Sequence, residues 1–89
     1  MLDARLALAR AGGDVAEARD VVSGFERLCG ADHRSTLDAR YELGRMLGPS
    51  EEAVTILRSV FETRTRVLPP GHPDVEASRA ALERAAGAT

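Results

Sequence analysis

Apolar residues recur along this chain at steps of three and four and never alternate with period two, which predicts helices and no strand. Five helices are expected. The first covers residues 2–11, where Leu2, Leu6 and Ala9 share a face with Leu8 beside it, and Gly12-Gly13 ends it. Glycine tolerates the left-handed backbone of a helix C-terminus. Asp14 is placed to cap the second helix, and Glu17 three residues later completes a capping box. Ala18, Val21, Val22, Phe25, Leu28 and Cys29 form its apolar stripe, and Gly30 stops it. The third helix begins near His33 or Ser35 and runs to Leu47, with Leu37, Tyr41, Leu43, Met46 and Leu47 as its apolar set. Gly44 interrupts that set at a cost of about 1 kcal/mol against alanine, and is expected where another backbone passes close. After the break at Gly48-Pro49-Ser50, Pro49 or Ser50 opens the fourth helix, with Glu51-Glu52 favourable near its positive end. Ala53, Ile56, Leu57, Val60, Phe61, Val67 and Leu68 give it a strong stripe, closed by Pro69-Pro70-Gly71. The fifth starts at Pro73 and carries Ala77, Ala81, Leu82 and Ala85, with Gly87-Ala88-Thr89 expected to fray.

Helices joined by breaks of a few residues pack antiparallel to their neighbours. The expected product is all-α, two helical hairpins and a terminal helix. A repeat runs through it. Leu2-Asp3-Ala4-Arg5 returns 35 residues later as Leu37-Asp38-Ala39-Arg40, and Glu17-Ala18 returns as Glu52-Ala53. A second offset, of 39 residues, carries His33 onto His72, Thr36 onto Val75, Arg40 onto Arg79 and Leu43 onto Leu82. A fixed period of this length points to stacked supersecondary units, none of which buries its apolar face alone.

Composition narrows the function. A chain of 89 residues holds one small domain. Its aromatics are Phe25, Phe61 and Tyr41, so the core is built from Leu, Val, Ile and Ala. Arginine stands in for lysine throughout, alongside abundant alanine, a usage that suggests a GC-rich bacterial source. The net charge of -2 and scattered arginines argue against nucleic acid. The basic positions Arg58, Arg64 and Arg66 of the fourth helix surround Glu62, and the chain has no Asn or Gln to read bases. No apolar run is long enough to span a membrane, the N-terminus lacks a signal-peptide pattern, and the lone Cys29 excludes an internal disulfide framework. Cytoplasm is the expected compartment.

HRSTLDARYELG at residues 33–44, followed by GHPDVEASRAAL at 71–82, resembles the tetratricopeptide repeat in its kinesin-light-chain-like form, common in multi-repeat proteins of actinobacteria. Leu43-Gly44, Glu52-Ala53, Leu57 and Val60 fill the small and large packing positions of that motif. The resemblance covers nearly the whole chain. It divides it into a first repeat at about 2–29, a second at about 34–68 and a terminal helix at about 73–86. The chain departs from the family pattern by losses of three or four residues, close to one helical turn. The resemblance implies a right-handed stack whose first helices line a concave groove for a protein or peptide, with no catalysis and no cofactor.

On the first helices, Asp3, Leu6 and Arg10 align with Asp38, Tyr41 and Arg45, and with Ala77, Ala80 and Arg84. The spacing of three and then four puts each set on one helix face. By the resemblance that face lines the groove. Arg10, Arg45 and Arg84 would then hold an acidic segment of a partner, since a guanidinium binds carboxylate in bidentate fashion, and Tyr41 would add apolar contact. The alternative is a solvated face on which Asp38 pairs with arginine. Arg5, Arg40 and Arg79 fall on another face, where bridging of hairpins is the expected role. Cys29 and His33 lie four apart but have neither the further ligands of a zinc site nor an orienting group for a nucleophile. His33 and His72 are read as helix starts and Cys29 as a small packed residue. The second functional expectation is oligomerisation, as a homodimer through open repeat ends or as part of a longer array in a bacterial regulator. Leu2, Leu6 and Leu8 spread apolar groups over much of the first helix, whereas a capping helix needs a polar outer face.

Overall fold

The computed structural model describes residues 14–87. They form four helices, α1 (Val15–Cys29), α2 (Arg34–Met46), α3 (Glu51–Val67) and α4 (Pro73–Gly87), with no strand among the described residues. The helix expected over residues 2–11, with Asp3, Leu6 and Arg10 on it, lies outside the described residues.

The ends are set by local chemistry. The Asp14 carboxylate accepts the Glu17 N–H at 3.0 Å, and the Ser50 hydroxyl accepts the Ala53 N–H at 3.1 Å. Each satisfies a donor that the first turn leaves free. The two histidines do the same work for α2 and α4. His33 Nδ1 accepts the Ser35 N–H at 3.1 Å, and His72 Nδ1 accepts the Asp74 N–H at 3.0 Å. Gly30 takes φ 89° after α1, a conformation costly to a residue with a Cβ. The Thr36 hydroxyl then donates to the Gly30 carbonyl at 2.7 Å, pinning the turn to α2.

Each helix packs on the next, and α2 also touches α4. Arg19, near the start of α1, pairs with Glu52, near the start of α3, while Arg66 at the end of α3 reaches Asp32 just past the end of α1 at 3.2 Å. Thus α1 and α3 run in the same direction. Ala18, Val21, Val22 and Phe25 of α1 close on Ala39 and Leu43 of α2, with Ile56 of α3 packed against them. The core continues through Leu37, Ala53, Leu57, Val60, Val75 and Ala81.

Four expectations are corrected. Leu28 and Val67 lie on their stripes by spacing, yet they are 77% and 51% exposed, because no described element packs over these two side chains. Cys29 is exposed for the same reason and is not a packed residue. What approaches Gly44 is the Leu57 side chain, whose Cγ would lie 2.6 Å from an added Cβ, and not a backbone. Arg40 donates to the Ser59 hydroxyl of α3 at 3.0 Å, within the hairpin of residues 34–68 and not between hairpins, and Arg79 pairs with Glu76 on its own helix.

The offset of 39 residues holds in three dimensions. It carries Val21 onto Val60, both fully buried. It also carries Phe25 onto Arg64 and Ala39 onto Ser78. Phe25 and Ala39 both belong to the apolar core of α1 and α2. Arg64 donates to Ser78 Oγ at 2.8 Å between α3 and α4. An apolar pair in one junction is thus a polar pair in the next.

Candidate protein-binding surface

Asp38, Tyr41 and Arg45 follow one another up one face of α2, and Ala77, Ala80 and Arg84 up a face of α4. Arg45 and Arg84, both exposed, line a single depression of about 450 Å³ between the C-terminal halves of the two helices. Gly44, Gly48, Pro49, Leu57, Ala81 and Ala85 complete its walls and floor. The depression exists because the residues beneath it are small. Leu57 fills the notch left by Gly44, and the two alanines keep α4 low. Two guanidiniums therefore stand over an apolar floor. Arg45 lies 3.6 Å from Glu42, beyond the length of a good hydrogen bond. Arg84 makes no hydrogen bond or ion pair with the described residues.

Lower in the same face the arrangement differs from a row of free contacts. Arg64, buried in α3, donates through Nη2 to Asp38 Oδ1 at 2.7 Å and through Nη1 to Ser78 Oγ at 2.8 Å and the Asp74 carbonyl at 3.3 Å. Ser78 Oγ in turn donates to the Asp74 carbonyl at 2.8 Å. The Tyr41 ring is flanked by two cations, with the Arg64 guanidinium carbon 5.0 Å and the Arg45 one 5.6 Å from its centroid. A cation over an aromatic face is attracted by the ring quadrupole. Along α2 the order is therefore carboxylate, guanidinium, ring, guanidinium. Asp38 meets a buried arginine here, not one on the surface.

No protein-family model, no curated protein and no solved structure matches the chain.

Of the expected groove residues, Tyr41, Arg45, Asp38 and Arg84 fall in the described part, and Arg45 and Arg84 come together. Leu6 and Arg10 lie outside it. Arg64 was missed as a member of this face, since an arginine in a helix reads as surface. The signal that finds it is the repeat offset, which sets it over the buried Phe25. Among the described residues no group of three or more His, Cys, Asp and Glu is placed to hold a metal ion, and no helix is long and apolar enough to cross a membrane.

Proposed function

We propose that this chain is a non-catalytic protein- or peptide-binding scaffold of tetratricopeptide-like build, whose groove is lined by the first helix of each repeat. The observation that carries this reading is the shared depression of Arg45 and Arg84 over Leu57, Ala81 and Ala85. Support for the architecture comes from the repeat offset of 39 residues and from α2 packing on α1, α3 and α4. The ligand this surface suits is an acidic segment. Its carboxylates would meet the two guanidiniums, and charge-assisted bonds of this kind contribute about 1.5–3 kcal/mol each. An aliphatic side chain beside them would fill the apolar floor. The composition and the lone Cys29 fit a cytoplasmic bacterial protein.

Selection from a displayed library of random peptides tests this. Wild-type protein is expected to enrich sequences rich in Asp and Glu, and the Arg45→Ala/Arg84→Ala variant is expected to lose them. Equal enrichment by both would refute the groove.

The second reading, self-association through open ends, draws on the exposed Leu28 and Val67. The outer face of α4 opposes it. The offset carries Leu37, Arg40 and Gly44, the α2 face turned to α3, onto Glu76, Arg79 and Glu83 of α4, all exposed. A polar outer face is what closes a stack.

A further inference from the structure

We propose that Arg64 is a specificity-determining residue of this surface, which it governs from beneath by neutralising Asp38. The inference rests on the acidic-ligand reading above.

The molecule makes a substitution in its own repeat. In the apolar cluster of α1 and α2 two of the members are Phe25 and Ala39, and the positions that the offset makes equivalent at α3 and α4 are the bonded pair Arg64 and Ser78. Packing alone does not call for the change, since the apolar pair already serves the first junction. A buried charge carries a desolvation penalty that its partners must offset. Here Asp38, Ser78 and the Asp74 carbonyl supply those partners. What the arginine adds is a cation under the binding face.

Its effect is felt at Asp38. The Arg64 side chain is 5% exposed and that of Asp38 is 47% exposed. The carboxylate therefore looks out onto the face that holds Tyr41 and Arg45, while its charge is met from below. With Phe in place of Arg64, the same carboxylate would stand unpaired two helical turns from Arg45 and repel an acidic ligand. Tyr41 would also lose one of its two cations. Arg64 thus keeps the face positive without touching the ligand.

The test uses three variants and a fluorescein-labelled peptide of alternating glutamate and leucine. Arg64→Phe/Ser78→Ala transplants the first junction into the second and is expected to fold with unchanged helicity. Its affinity for the peptide should fall about three- to ten-fold at low salt, as expected for one unscreened charge several ångströms away, and the gap should narrow at high salt. Adding Asp38→Asn to that pair should restore most of the affinity, which a merely structural role of Arg64 would not predict. Equal affinity of wild type and double variant, or no rescue by Asp38→Asn, would overturn the role given to Arg64. If the double variant does not fold, Asp38→Asn alone decides: it leaves the Arg64 charge unopposed beneath the face and should raise affinity for the peptide about three- to ten-fold at low salt, and unchanged or weaker binding would overturn the proposal. A wild-type protein that ignores the peptide would instead refute the acidic groove itself.

Discussion

Arg64 occupies, between α3 and α4, the place that Phe25 occupies between α1 and α2, and the two are about equally buried at 4% and 6% exposure. One joins its neighbours by apolar area, the other by hydrogen bonds to Asp38, Ser78 and the Asp74 carbonyl. Arg64→Ala removes the contact of three helices at once and leaves the acceptors without their donor. It is expected to cost about 2–4 kcal/mol. Asp38→Ala leaves a buried guanidinium with Ser78 and a carbonyl only, and should cost about 1–3 kcal/mol, reduced by the solvent that reaches this site. Urea unfolding of each variant checks both values, and no change for Arg64→Ala would contradict a stabilising role for the Arg64 hydrogen bonds.

Gly44 and Leu57 are fitted to each other. Gly44→Ala gains about 1 kcal/mol of helix propensity but sets a methyl 2.6 Å from Leu57 Cγ, an overpacking that costs about 1–3 kcal/mol. The net effect is expected to be a modest loss. In the background of Leu57→Ala the same substitution should become stabilising, because the obstructing atoms are gone. A double-mutant cycle on thermal midpoints measures this reversal, and additive effects would contradict the close approach.

The histidine caps require acceptors at Nδ1, so His33 and His72 should carry their neutral-state proton on Nε2. Nitrogen chemical shifts of the two rings report the tautomer directly. His33→Ala is expected to cost about 1 kcal/mol, and His33→Ser to cost little, since serine is a good cap.

The Arg19–Glu52 pair gives a small acid sensitivity. Hydrogen bonds from Arg19, followed by its charge, hold the Glu52 carboxyl below its ordinary value of 4.5. A carboxyl depressed in the folded state stabilises it above the unfolded value and loses that contribution as pH falls through the folded one. The effect is therefore present at neutral pH and fades below about 4.5. Glu52→Gln should flatten this part of the stability curve between about pH 5 and 3, as read from urea midpoints, and more visibly at low salt than high.

Much of the fold was legible in the chain because helix ends are local events. Asp14, Gly30, Ser50 and Pro73 mark boundaries by their own capping and backbone chemistry, and the described helices begin and end within a residue or two of them. Burial was less legible where it depends on what lies opposite. Leu28 sits on a good stripe, but nothing described covers it. Thr36 and Ala39 are fully buried, though residues this small or polar add no stripe signal. Of the groove, the spacing of Asp38, Tyr41 and Arg45 was readable, and so was their alignment with Arg84. The ion pair that takes Asp38 out of the row was not, because it depends on a cation 26 residues away in another helix.

The central claim is that the face between α2 and α4 binds acidic peptide, and the most direct measurement is an amide chemical-shift titration with the glutamate–leucine peptide. Saturable shifts are expected at Tyr41, Gly44, Arg45, Ala81, Arg84 and Ala85, and their loss in Arg45→Ala/Arg84→Ala. An absence of shifts, or shifts centred on Leu28 and Val67 at the far edge, would contradict it.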